Sequence, residues 1–428
     1  MNEIANPALA ADPETGHVSK QDDAFRRRLT RRYRAEKRFK MAGLAAVVFS
    51  LVVLAFLLGT MLINGIGGFK RVEVTVPIDL SRAALTAPPA DLTRARAIQN
   101  LEYQGVREIV QSAVVGALPP AAAAQVDGDA WRTIAEEIID DPSLIGERQD
   151  FGLPATPDLA AGYSGEGSAE MRALAAEMRA NGTISKNWDL GFLTRSDATN
   201  PQQVGIWSAL KGTILTIIVT LALAFPIGVL AALYLEEYAP KNRWTDIIEV
   251  SINNLAAVPS IIFGLLGLAV FLGLFPHLRS APVIGGLTLA IMTMPVIVIS
   301  GRNAIKAVPP SIRDGALAIG ASPVQVVFHH VLPLALPGIL TGTIIGMARA
   351  VGETAPLLMI GMRAFIAAPP QGFTSPATVL PVQIFLWSDE VDRGFIERTS
   401  AAIVVLLLFL LAMNGFAIYL RNKFEKKW

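Results

Sequence analysis

"VLPLALPGILTGTIIGMARAVGETAPLLMIGM", residues 331–362, decides the fold, because it is long enough to cross a membrane and yet carries two charges. A helix needs about 20 apolar residues to span the hydrocarbon, and here only Arg349 and Glu353 interrupt the run. Four helical residues turn through about 400°, so the two charges fall on one face, one turn apart. If the spanning part begins near Pro337, Arg349 lies about 18 Å in and Glu353 about 6 Å further. A central arginine costs at least about 2.5–3.5 kcal/mol to insert and faces a bundle interior or an aqueous path. Its guanidinium is a planar fork that matches the oxygens of an oxyanion. Arg349 and Glu353, with Thr354 beside them, are therefore the candidate path residues. The competing reading is an ion pair that only locks helices together, in which case removing both partners is far milder than removing one. Gly342, Gly346 and Gly352 read as close-packing positions in the same run.

Five further runs reach spanning length with no charge at all: 41–64, 212–235, 250–278, 280–301 and 399–420. Six spans make an all-α polytopic membrane protein. Composition agrees: 52% of residues are hydrophobic and 17% charged, against about 45–50% and about 25% in soluble domains. The absence of cysteine excludes disulfides and thiol chemistry, and four histidines make a histidine metal site unpromising. Asn253 and Asn254, in the third span, are expected to hydrogen-bond between helices.

Lysines and arginines near span ends set orientation. Residues 21–40 hold nine of them and residues 65–84 three, so the amino terminus is expected in the cytoplasm. Six spans return the carboxyl terminus to that side, where "RNKFEKKW" supplies four more basic residues. The first span, 41–64, reads as an uncleaved anchor after a basic tail, 1–40. The tail fits contact with anionic lipid, and nothing calls for nucleic acid. Residues 65–205 then form an external insertion domain with 19 acidic and 12 basic residues. It is expected to be small and mostly helical. One helix runs through "DLTRARAIQNLEYQGVREIVQSAVVGAL" with Asp91 as N-cap, and a second lies in "SAEMRALAAEMRAN" between Gly167 and Gly182. "FGLPATPDLAAGYSGEG", between them, reads as loop. Residues 206–428 are the core with the remaining five spans.

The long internal loop of that core, 308–333, carries its own pattern. Pro309 and Pro310 introduce a short apolar helix, Ile312 to Ile319, which stops at Gly320; Pro323 suits the first turn of a second helix. A short surface helix joined rigidly to a span can pass force from a soluble partner to the membrane. The spacing D-G-A-x₃-G-x₉-H-V-L-P resembles the EAA loop of ABC importer permeases, usually E-A-A-x₃-G-x₉-I-x-L-P. Asp314, Gly315, Ala316, Gly320, Ala321, Leu332 and Pro333 are the residues that the resemblance assigns to ATPase coupling. Asp314 replaces Glu, His330 replaces Ile, and Gly315 replaces Ala at a cost to helix of roughly 1 kcal/mol.

"PIGVLAALYLEEYAP" (226–240), "NNLAAVPSIIFGLLGLAVF" (253–271) and "ARAVGETAPLL" (348–358) together resemble phosphate ABC transporter permeases of the PstA type, over about residues 188–420. The resemblance implies the type I importer arrangement, with six transmembrane helices in the bacterial inner membrane and both termini cytoplasmic. It also implies a homologous second permease of the PstC type, a dimer of PstB-type ATPases and a periplasmic phosphate-binding protein of the PstS type. No G-x-x-x-x-G-K-[ST] phosphate-cradling loop occurs in the chain, so ATP and magnesium belong to the partner ATPase and this chain is not itself an enzyme. Three other readings stay open: a permease for phosphonate, sulfate or molybdate, an ion-coupled secondary transporter, and a membrane sensor that reads phosphate through residues 65–205.

Overall fold

A computed structural model of the chain describes residues 15–424 except 83, 84, 90, 363, 364, 367 and 393. Lys426 and Lys427 of the basic carboxyl-terminal segment, and the first 14 residues of the basic tail, lie outside the described residues. Met1–Met61 form one compact unit and Leu62–Trp428 another. Most of α1 (Thr15–Gly68) belongs to the first. Its stretch Arg28–Gly68 is apolar enough to cross a membrane, with a mean hydropathy of 2.8 in its best window.

The insertion domain is built on a sheet that a mostly helical reading omits. In "KRVEVTVPID", Val72, Val74, Val76 and Ile78 alternate with Glu73, Thr75 and Pro77, and a period of two folds as strand. β1 (Lys70–Asp79) is the centre of three antiparallel strands, flanked by β2 (Arg148–Pro154) and β3 (Ile184–Trp188). Val74 stands opposite Leu153 on one side and Ile184 on the other. The four buried β1 side chains join a core with Leu101, Val110, Trp131, Ile134 and Phe151. Pro77, which has no N–H to give, sits where β3 no longer pairs with β1, as proline in a sheet must.

Helices cover this sheet, with boundaries that local chemistry corrects. The single helix expected from Asp91 is two, α2 (Arg94–Tyr103) and α3 (Val106–Ala117), because Gly105 takes a left-handed φ of 87° between them. Thr93, not Asp91, holds the N-cap position. After α4 (Pro120–Ala123) and α5 (Trp131–Asp140), the segment expected as loop supplies the end of β2 and all of α6 (Pro157–Ser164). Thr156 accepts from the Leu159 amide at its start, Pro157 fits its first turn, and Gly165 ends it at φ 87°. α7 (Ala169–Ala180) lies where expected, capped by Ser168.

The core contains α8 (Trp207–Leu233), α9 (Arg243–Ala256), α10 (Ser260–Leu266) and α11 (Leu272–Leu274). Then come α12 (Pro282–Lys306), α13 (Pro310–Ala318), α14 (Pro323–Gln325) and α15 (Leu332–Gly352). α16 (Ala355–Met359), α17 (Leu380–Ser388) and α18 (Gly394–Phe424) complete it. Among the described residues five helices, α1 included, are long and apolar enough to span, and a bent pair makes a sixth if taken as one span. That pair corrects the third run: α9 and α10 meet at 103° across a three-residue break containing Pro259. Asn253 and Asn254 end up exposed on α9, and their side chains bond to no other helix among the described residues.

Small residues set the packing of α8, α12 and α15. A Cβ on Gly342 would run into the Ser300 side chain, and one on Gly346 would come within 2.9 Å of Thr293. Gly352 differs, with nothing within 4 Å. Gly342→Val is therefore expected to cost roughly 1–3 kcal/mol by overpacking. Gly352→Ala should be neutral or stabilising by up to about 1 kcal/mol. Thermal unfolding of the purified chain in detergent, followed by tryptophan fluorescence, checks the contrast.

Candidate functional site

The charged run does not continue as one helix. α15 stops at Gly352, Glu353 takes extended angles (φ −76°, ψ 122°), and α16 starts afresh with proline in its first turn. Pro356 explains the stop, since it has no amide to donate to the Gly352 carbonyl four residues back and its ring would clash with that carbonyl in a continuous helix. Arg349 lies in the last turn of α15 and Glu353 caps it. Arg349 Nε donates to Glu353 Oε1 at 3.3 Å. The expected pair thus meets, but across a helix end rather than along one face. The guanidinium is also less enclosed than the sequence suggests. In this chain the Arg349 side chain is 49% exposed and that of Glu353 17%. Counting depth from Pro337 fails as well, because α15 passes through that proline unbroken from Leu332.

What supports the break is glycine on a second interrupted helix. A Cβ at Gly264 of α10 would lie 2.6 Å from Pro356 Cα and 3.0 Å from Met359 Cβ. α16 therefore rests directly on α10. Backbone that leaves the helical ladder at membrane depth is tolerated only where protein buries it or water reaches it. Arg349, Glu353 and the partly buried Thr354 sit at such a place. Among the described residues the half-exposed guanidinium is held by one carboxylate through Nε, which leaves N–H groups able to meet an anion.

At the other end of α15, about 25 Å away by helical rise, the loop 308–333 takes the shape that its prolines and glycine foretell. α13 begins after Pro309 and ends at Ala318, and the φ of 89° at Gly320 just beyond it lets the Ala321 amide return to the Ala316 carbonyl at 3.1 Å. Ser322 and Gln325 then form a capping box that starts α14. A π-turn, Val326–Val331, runs directly into α15, where Leu332 and Pro333 are half-buried. Ala316 packs inward with Val326 and Val327. Asp314, Gly315, Leu317 and Ile319 face out, Ile319 with 83% of its surface free. An exposed apolar strip beside a carboxylate is the kind of surface on which a partner can dock, with one charge to set its register.

A third cluster went unread in the sequence. Arg398, at the start of α18, is 2% exposed. It donates to the Pro201 carbonyl at 2.6 Å and the Gly68 carbonyl at 2.6 Å, and pairs with Asp189 at 3.1 Å. Arg195 holds the same carboxylate at 2.6 and 2.7 Å. Burial pushes the Asp189 carboxyl up, but Arg195, Arg398 and Arg71 outweigh it and hold it below the ordinary range. Its signal was an arginine at the edge of an apolar run, which resembles the basic flank of any span.

Two family models match the chain. One, a domain of unknown function (DUF3333), covers residues 26–173. The other, the binding-protein-dependent transport system inner membrane component, covers residues 224–426. A probable ABC transporter permease, YqgI of Bacillus subtilis (strain 168), is 30% identical over 55% of this chain and 84% of its own length. The phosphate transport system permease PstA of Haemophilus influenzae is 30% identical over 56% of this chain and 82% of its own. Among solved structures, the inward-facing MetNI methionine ABC transporter aligns with 52% of this chain and 98% of its own, at 18% identity and a TM-score of 0.42, too loose to carry an argument.

The Arg398 cluster yields a stability test. A carboxyl held below its unfolded value, about 3.9 for aspartate, stabilises the fold above that value and loses the effect as pH falls through the folded one. Glu136 and Asp197, both pushed up by burial, work in the opposite sense. Asp189→Asn should cost about 3–5 kcal/mol by stranding two guanidiniums. It should also flatten the fall of the melting temperature below about pH 4. Melting curves of both proteins between neutral and acid pH read the difference.

Proposed function

The chain belongs to the binding-protein-dependent inner-membrane permeases, alongside the PstA proteins, and from that membership we propose that it forms half of the membrane path of an ATP-driven inorganic phosphate importer. A permease subunit of this family is a multi-pass membrane component of a transporter, not an enzyme. The observation that carries the phosphate reading is the likeness to PstA proteins over most of their length, 82% in Haemophilus influenzae and 75% in Pasteurella multocida.

The chemistry at the helix break fits that reading. Arg349 offers the fork for phosphate oxygens, and Glu353 holds it in place and keeps the empty path from being strongly cationic. A carboxylate also suits a ligand that still carries a proton to donate, as phosphate does near neutral pH and sulfate does not. On this proposal the second half of the path is a PstC-type permease; a PstC protein of Haemophilus influenzae is itself 31% identical over 73% of its length. ATP and magnesium act on a dimer of PstB-type ATPases, which the α13 face receives, and a PstS-type protein delivers phosphate. Both termini lie in the cytoplasm and the insertion domain outside, as the nine basic residues at 21–40 favour.

Arg349→Gln should lower uptake of radiolabelled phosphate by at least about tenfold, the scale of one lost charge-assisted contact, with the subunits still co-purifying. Arg349→Gln/Glu353→Gln should be equally inactive. Recovery in the double variant would reduce the pair to packing. Uptake competed by sulfate or molybdate as well as by phosphate would move the assignment to another oxyanion.

A further inference from the structure

Arg313 immediately precedes the outward-facing Asp314, yet its guanidinium is bonded entirely inward. Nη2 and Nε donate to the Glu237 carboxylate at 2.7 and 3.2 Å. Nη2 also donates to the Ile305 carbonyl at 3.0 Å, and Nη1 donates to the Val308 carbonyl at 2.7 Å. Glu237 belongs to the π-turn Tyr234–Tyr238 that ends α8, and Ile305 to the last turn of α12. One side chain thus ties α13 to the ends of two spanning helices.

The neighbouring residue extends the connection. Adjacent helical residues point roughly 100° apart, so Glu236 serves other partners. It pairs with Arg302 at 3.4 Å and Lys306 at 3.6 Å, both on α12. Arg302 in turn donates to Glu249 of α9 at 2.9 Å. The ends of α8 and α12 and the middle of α9 are therefore one charged lattice, and Arg313 is where α13 enters it.

α13 has a second attachment, of a different kind. Through Gly320 and Ser322 it is continuous with α14 and α15, and Ala316 rests against Val326 and Val327. Apolar contact fixes proximity while permitting a helix to roll. A guanidinium fork on a carboxylate fixes angle as well. We infer that Arg313 and Glu237 are a positioning pair that carries displacement of the coupling helix into α8, α9 and α12, while the chain itself carries it into α15. The inference rests on the importer reading above. Neither residue lies on the outward face that would receive an ATPase, so losing the pair leaves that face whole and removes half of the transmission.

The test uses the whole importer, this chain with its co-expressed permease, ATPase and binding protein, reconstituted in liposomes. Arg313→Gln and Glu237→Gln should keep the ATPase bound and hydrolysing while phosphate moved per ATP falls about tenfold, within the roughly 5–150-fold span of typical coupling energies. The chain has no cysteine, so Arg313→Cys/Glu237→Cys can be bridged by a reversible bis-methanethiosulfonate linker in the assembled complex. Bridging should restore the transport-to-hydrolysis ratio and reduction should abolish it again. Transport and hydrolysis falling in proportion would make the pair merely structural and overturn the inference, as would an unchanged ratio. A wild-type complex that carries no ATPase would overturn the importer reading instead.

Discussion

A peptide group inside hydrocarbon has no water to bond, so every place where a spanning helix stops short must be propped by protein or opened to solvent. Two helices of this core stop short, at Ala256 and at Gly352, and they are propped by each other: α16 beyond one break lies on α10 beyond the other. Gly264 makes the seat possible, because any side chain there would push Pro356 away. The charged pair depends on the same break. With α15 ended at Gly352, Glu353 is free to turn back as a cap and meet Arg349 from outside the helix, leaving part of the guanidinium uncommitted.

Much of this could be read from residues alone, where a local rule decides the outcome. Charge-free runs became helices, Gly342 and Gly346 became contacts, and proline and glycine bounded α13 as their backbone preferences require. What escaped was whatever depends on residues far apart in sequence. β1 pairs with strands that begin roughly 70 and 110 residues beyond it, and charges at Arg71 and Glu73 disguise a plain alternation. The bend at Pro259 left no mark in hydropathy, which scores a bent apolar segment like a straight one. Exposure at Arg349, Asn253 and Asn254 was unreadable for a related reason: apolar periodicity tells which residues avoid water, not which faces this chain covers with itself.

Charge is distributed in this core by mechanical role. At one end of α12 the carboxylates of Glu236, Glu237 and Glu249 face Arg302, Lys306 and Arg313, joining α8, α9, α12 and α13. Along the helices themselves glycines and threonines do the joining, with hydroxyls turned back to carbonyls of their own helix, as for Thr213, Thr220 and Thr293. The first kind of joint holds direction and the second holds distance.

The Arg398 node has an evolutionary corollary. Two of its partners, the Gly68 carbonyl and the Asp189 carboxylate, stand at opposite ends of the insertion, so the last helix keeps hold of both its entrance and its exit. An excision that removed both points with the segment between them would leave Arg398 buried with only the Pro201 carbonyl of these three partners. Loss of the insert is therefore expected to need a compensating change at position 398.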